Sequence, residues 1–323
     1  MTDLRPPYEA SYQQTLGGAS PASTYHVKST SSARACPLCA CDKCQKSAFS
    51  SIYQEIEFRY VECMRCGSLY CSPMPAPVTL QLMYGPAYES AFSEGANGNV
   101  EDPKEPSKCI EWLQNQGTGT FVDYGCGAGV LLEEAAKVGL RPVGVELDSR
   151  VARRVEERTG FTVLTASVAD SSSGHFADVL HLGDVLEHLT DMEKQLPSIL
   201  RLIKPGGLLL AQGPLEGNFN LFAACCGLSR RLRPWHRTEM PPYHVIMATS
   251  KGQRLLFQRF GLSELEYSLR EVAWPAPSKL KLRDLALPKQ VTLFALRRLS
   301  ACLSVLNSKA WGNRYFYAGR VAN

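Results

Sequence analysis

The chain has 323 residues, 45% of them hydrophobic and 20% charged, which excludes a disordered or fibrous polypeptide and leaves room for one large domain or two ordinary ones. No stretch approaches the roughly 18 uninterrupted apolar residues of a membrane span, and the first residues lack the apolar centre of a secretory signal. The composition therefore predicts a soluble, cytoplasmic protein. The net charge of +4 conceals an asymmetry: residues 1–226 carry 18 Lys and Arg against 26 Asp and Glu, whereas residues 227–323 carry 17 against 5. The basic C-terminal third points to an anionic partner: a nucleotide or phosphate-bearing substrate, a nucleic acid or a membrane surface.

Residues 1–33 are rich in Ser, Thr, Gly and Pro and read as a flexible tail. Seven of the twelve cysteines fall between Cys36 and Cys71, a local device and not a chain-wide disulfide framework. Cys36-Pro-Leu-Cys39 and Cys63-Met-Arg-Cys66 form two C-x-x-C knuckles separated by 23 residues. Four thiolates so arranged can hold one tetrahedral zinc, and Gly67 supplies the tight turn of the second knuckle. Cys41 and Cys44 offer a competing pair; a fully cysteine-ligated site leaves no open coordination position and is structural. Between the knuckles SIYQEIEFRYVEC reads as a β-like run with Ile52, Gln54, Ile56 and Phe58 on one face. The ribbon so defined covers residues 34–75, and a partly helical connector covers 76–116.

From Phe121 the pattern changes to short apolar runs alternating with amphipathic helices, the signature of parallel βαβ units. This α/β core, a Rossmann-like fold, is assigned to residues 117–226, with 227–323 as a basic substrate-side segment ending in a helix. At its start Phe121-Val-Asp123-Tyr-Gly125-Cys-Gly127-Ala-Gly129 puts an acid at the end of a strand and three glycines before a helix, which lets backbone approach a ligand closely. Seventeen residues after Gly129 the next strand ends in Glu146, a carboxylate suited to both hydroxyls of a ribose. The dinucleotide fingerprint G-x-G-x-x-G is absent, because Gly129 is followed by Val130.

D-x-G-x-G-x-G, then G-V-E, then FADVLHLGDVLEHLTD and LRLIKPGGLLL, resemble in order the core motifs of the class I S-adenosylmethionine-dependent methyltransferases. The cysteine knuckles, the Pro-rich turn and LMYGPAYES are similar to the N-terminal zinc-ribbon half of a bacterial subgroup that includes sugar C-methyltransferases. The resemblance implies a seven-stranded, mostly parallel sheet preceded by a small zinc ribbon with metal ligands Cys36, Cys39, Cys63 and Cys66. It implies that Asp123, Gly125, Gly127 and Gly129 line the methionine end of S-adenosylmethionine. Glu146 would hold the ribose, Leu147 would flank the adenine, and Ser167 and Val168 would approach its edge. Gly183 and Asp184 would face the sulfonium, and Lys204-Pro-Gly-Gly207 would be the turn before the fifth strand.

Methyl transfer to oxygen or carbon requires a base, for which a histidine near neutral pKa is the natural choice. Of six histidines, His26 lies in the tail, His175 in a polar stretch, and His181 inside an apolar strand where packing is expected. His188 sits at the mouth of the fourth strand. His244, in PPYHVIMAT, ranks first, ahead of Tyr243 and His188, and His236 lies among arginines suited to an anion. Arg230, Arg231, Arg233 and Arg237, with Trp235, form a candidate phosphate grip. In LFALRRLSACLSVL the leucines 296, 299, 303 and 306 make a helical stripe whose common use is packing, with peripheral membrane contact or pairing as alternatives. The expected acceptor is a small anionic molecule (a nucleotide-linked sugar, polysaccharide or natural-product precursor); RNA methylation is the alternative.

Overall fold

The computed structural model describes residues 35–42, 45–53, 56–76, 105–171, 174–219, 221, 224, 244–272, 288–307 and 311–322. The N-terminal cysteine module contains β1 (Gln45–Tyr53), β2 (Ile56–Cys63) and β3 (Leu69–Cys71). The single β-like run expected between the knuckles is instead an antiparallel hairpin, with Tyr53 opposite Ile56. The alternation reads the same in either case, and the turn at its centre has no Gly or Pro to mark it. The module's sheet is completed by β9 (Ile246–Met247), some 175 residues further along the chain, in the order β1-β2-β3-β9.

The larger sheet is built from β4 (Thr120–Tyr124), β5 (Arg141–Glu146), β6 (Val163–Thr165), β7 (Ala177–Gly183), β8 (Ile203–Pro214), β10 (Ser263–Arg270) and β11 (Arg314–Arg320). Its order is β10-β11-β8-β7-β4-β5-β6, with five parallel strands and β11 antiparallel to both neighbours. The helices are α1 (Glu105–Gln114), α2 (Val130–Lys137), α3 (Ser149–Thr159), α4 (Ala166–Ser171), α5 (Met192–Leu200), α6 (Ser250–Arg259) and α7 (Pro288–Leu306). The expected α/β architecture is the observed one. The central strands are apolar on both faces because both are covered. On one face Cys109, Leu113, Leu132, Ala152 and Val155 of α1, α2 and α3 pack against Phe121 and Phe316. On the other, α5 and α6 share a core with Tyr60, Tyr70 and the cysteines of the N-terminal module.

Local chemistry fixes the helix ends. Asp148 accepts a hydrogen bond from the Arg150 amide at the start of α3, and Gly160, with φ 73°, ends it. Thr249 caps α6 through the Gly252 amide. Running outward from β4 to β5 and β6, the chain then returns to β7 on β4's other side. The strand order therefore reverses between β4 and β7, and the crevice beyond their carboxyl ends is where such sheets bind ligands.

Candidate active site

The glycine loop begins where β4 ends. Gly125, Gly127 and Gly129 have φ values of 82°, 49° and 74°, conformations that favour glycine at each. Their surroundings separate their roles. A Cβ at Gly125 would lie 2.8 Å from Val185 Cγ2 and one at Gly129 2.6 Å from Val155 Cγ1, whereas one at Gly127 would meet nothing within 4 Å. Gly125 and Gly129 thus serve packing, and Gly127 presents bare backbone to open space at the mouth of α2. Glu146 turns its carboxylate into the loop, accepting from the Gly127 amide at 3.0 Å and the Leu147 amide at 2.7 Å. Burial raises its pKa, against the pull of those amides. Two backbone bonds leave a carboxylate lone pairs for further donors. Leu147 beside it is 68% exposed, an apolar side chain at the edge of the crevice. Ser167, on α4, is exposed with its hydroxyl 3.2 Å from that of Thr165, and Val168 belongs to the same helix.

Asp123 lies behind the loop. It is buried, and its carboxylate takes a hydrogen bond from His181 Nδ1 at 2.7 Å across the β4–β7 pairing. His181 is therefore packed, as expected, and also polar-bonded. It demands Gly183, where a Cβ would fall 2.6 Å from the imidazole Cε1. The next residue, Asp184, holds a left-handed conformation with φ 52°, which is uncommon for a residue other than glycine. Both its carboxylate oxygens accept from Arg314 Nη2 at 2.8 Å, and its amide donates to the Gln212 carbonyl.

A second cluster of titratable side chains at this end of the sheet is assembled from three distant segments. His188 closes a single 3-10 turn, Leu186–His188, just beyond β7. His244 lies two residues before β9, its ring 5.0 Å from that of His188 in an edge-on arrangement. Its Nδ1 faces Glu216 Oε2 at 2.9 Å. Ligating atoms of Glu187, His188 and His244 lie within 4.8 Å of one another. Burial pushes the Glu187 carboxyl up to about 8, with Asp184 adding to the shift. For His244 burial alone would lower the pKa, but the Glu216 hydrogen bond and charge, with Glu187 and Asp184, outweigh it and raise it to about 9. The three groups are close enough to share a proton. The carboxylates around His244 thus hold its pKa above the near-neutral value expected of a base, which favours the imidazolium. Tyr243 lies outside the described residues, as do Cys44 and the Arg230–Arg237 run with Trp235 and His236.

The cysteine knuckles converge as their spacing suggested. Cys36 Sγ is 3.7 Å from Cys66 Sγ and Cys39 Sγ is 3.5 Å from Cys63 Sγ; all four sulfurs lie within 4.8 Å and are buried. The edge of a tetrahedron with zinc–sulfur bonds of about 2.3 Å is about 3.8 Å, so the residues fit that metal. The hydrogen bond from Cys36 draws the Cys66 thiol down to about 5 while raising Cys36. Cys41 is disulfide-bonded and so does not compete for the site.

Residues 103–267 match the family model described as a methyltransferase domain. The chain belongs to the methyltransferase domain family. Among curated relatives it is 32% identical over 148 residues to a ribosomal protein L11 methyltransferase from Dechloromonas aromatica, covering 44% of this chain and 46% of that one. It is 37% identical over 94 residues to a ubiquinone biosynthesis O-methyltransferase from Methylococcus capsulatus, covering 27% of this chain and 39% of that one. The chain thus spans less than half the length of these relatives. A solved structure of the N-methyltransferase NodS from Bradyrhizobium japonicum, in complex with S-adenosyl-L-homocysteine, aligns with TM-score 0.42 and 14% identity over 69% of this chain and 88% of that one. The methyltransferase's glycine loop and Glu146 were legible in the sequence. Glu216, Arg314 and Tyr60 were not: they join the site from segments far from its motifs, and no local pattern marks them. The Glu187-His188 pair was visible, but the burial that shifts Glu187 was not.

Proposed function

We propose that this methyltransferase moves a methyl group from S-adenosylmethionine to an oxygen or carbon of a small anionic acceptor, such as a nucleotide-linked sugar, a polysaccharide precursor or a natural-product precursor. The observation that carries the reading is that His244, His188, Glu187 and Glu216 gather at the same end of the sheet as the open Gly127 backbone. Gly125, Gly127, Gly129 and Asp123 would frame the methionine end of the cofactor, and Glu146 the ribose. Leu147, Ser167 and Val168 would border the adenine, with Gly183 and Asp184 on the sulfonium side. When bound, S-adenosylmethionine supplies an electrophilic methyl group for in-line displacement. The protein's task is then to orient the acceptor and to manage one proton.

His244 does both. As an imidazolium it attracts an anionic acceptor, with Glu216 fixing the ring through Nδ1. Once deprotonated, its other nitrogen is a strong base, so turnover rises with pH toward the histidine's pKa of about 9. Tyr243 and His188 are the neighbouring candidates for the same proton. The thiolates of Cys36, Cys39, Cys63 and Cys66 would hold a structural zinc, giving an N-terminal zinc ribbon like that of the sugar C-methyltransferase subgroup. Transfer of labelled methyl from S-adenosylmethionine to a panel of nucleotide sugars tests the reading. Product is expected with at least one of them, and methylation confined to RNA, with a steep loss of binding in salt, contradicts it.

A further inference from the structure

We propose that the cysteine module is a working wall of the acceptor site, and that Tyr60 is the positioning residue through which it holds His244. The proposal rests on the reading of His244 as an acceptor-side group. Tyr60 lies on β2, is 2% exposed, and stacks on Phe49 with ring centroids 4.6 Å apart. Its hydroxyl donates to the main-chain carbonyl of His244 itself at 2.8 Å.

The contacts continue residue by residue. The Cys71 amide donates to the Val245 carbonyl at 2.9 Å, and β3 pairs Tyr70 with Ile246 and Leu69 with Met247. The Thr249 amide donates to Ser68 Oγ at 3.0 Å, and its hydroxyl donates to the Cys66 carbonyl at 2.6 Å. From His244 to Thr249 the segment is thus laced to residues 60–71. Its opposite edge meets the catalytic crevice: the Val245 amide donates to the Glu187 carbonyl at 3.0 Å, in the turn that also carries His188. An imidazole is aimed by its own main chain, so the backbone at 244–245 sets the ring against Glu216. That backbone is gripped by Glu187 from one side and by Tyr60 and Cys71 from the other.

The grip depends on the cysteine turn between β2 and β3. There the Gly67 amide donates to the Cys63 carbonyl at 2.6 Å and the Cys63 amide to the Ser68 carbonyl at 2.9 Å. Zinc bound by the four thiolates would lock that turn, and with it the spacing of Tyr60, Ser68 and Cys71. Loss of the metal would therefore be felt at His244 even though no ligand touches it. The charged and titratable groups facing the imidazole are Glu216 beyond β8, Glu187 and His188 in the 3-10 turn, and Asp184 at the end of β7 with Arg314 of β11 behind it.

The test follows the histidine ring resonances of the full-length, zinc-loaded chain against pH, in wild type and Tyr60→Phe, before and after zinc chelation. Wild type is expected to show a His244 midpoint near 9. Tyr60→Phe, and separately chelation of the wild type, are each expected to lower it by a unit or more. Calorimetric affinity of Tyr60→Phe for S-adenosylmethionine should stay within about twofold of wild type, showing that the fold is retained; Ser68→Ala, which cuts the tie from the Thr249 amide to Ser68, serves as the second variant. A His244 midpoint unmoved by all three perturbations overturns the proposal. If the midpoint moves but His244→Gln leaves methyl transfer intact, the positioning stands and the acceptor-side role of His244 falls.

Discussion

At the scale of single residues the site is governed by carboxylates placed to hold protons. Glu216 is the partner that raises the His244 pKa, against the burial that would lower it. Glu216→Gln is therefore expected to move the His244 pKa down from about 9 toward or below its ordinary 6.5, and the alkaline rise of turnover with it, as a pH–rate profile will read. The sign for stability follows from linkage. With the folded-state value raised, the His244 contribution is complete below about pH 6.5 and is lost as the pH climbs through about 9. Gly127 makes the complementary prediction on the cofactor side. Because a side chain there points into open space but needs φ 49°, Gly127→Arg should fold with a modest strain of about 1–2 kcal/mol. It should also abolish binding of S-adenosylmethionine by calorimetry; wild-type affinity in that variant would exclude the loop as the cofactor site.

At the scale of elements, α7 reverses the reading made from its leucine stripe. The stripe predicts packing through Leu296, Leu299, Leu303 and Leu306, yet Leu299 and Leu306 are 53% and 82% exposed. The buried side carries Arg297, Ser300 and Ser304 instead. The reason is Glu271, fully buried just after β10, to which Arg297 Nη1 donates at 2.9 Å and Ser300 at 3.2 Å. A buried carboxylate without these partners is costly, so the polar side of the helix docks on it. Removing one partner of a buried pair typically costs about 3–5 kcal/mol. Arg297→Ala should lower the thermal midpoint accordingly, whereas Leu299→Lys should stay within about 0.5 kcal/mol of wild type. Helical periodicity found the helix but not its orientation, because Glu271 is outside it in sequence. The borrowed strand β9 escaped for the same reason, since pairing across some 175 residues leaves no local trace, whereas the β1–β2 hairpin escaped because its turn carries no Gly or Pro. The βαβ units, whose turns, caps and glycines act locally, were readable from Phe121 to Pro214.

At the scale of the whole molecule, two features of the composition acquire structural meaning. The clustered cysteines close into one four-sulfur site; metal analysis should return about one zinc per chain, lost in the double variant Cys36→Ser, Cys63→Ser. The basic C-terminal third is largely engaged within the fold where it is described. Arg254 pairs with Glu264, Arg259 with Glu193, Arg297 with Glu271 and Arg314 with Asp184, while Lys251 and Arg320 donate to the Arg65 and Gly206 carbonyls. Among the described residues, charge excess alone therefore overstates the surface left for an anionic partner. Among the described residues no helix is long and apolar enough to cross a membrane. His244 joins the cysteine module, the β7 turn and the end of β8 in one cluster.

The proposed chemistry turns on that histidine. The deciding measurement is the turnover of labelled methyl from S-adenosylmethionine onto nucleotide sugars by wild type and His244→Gln, with cofactor affinity measured in parallel. A general base contributes about 10²–10⁴ in rate, so His244→Gln should lose at least about a hundredfold in kcat with the cofactor Kd unchanged. Wild-type turnover in that variant would contradict it.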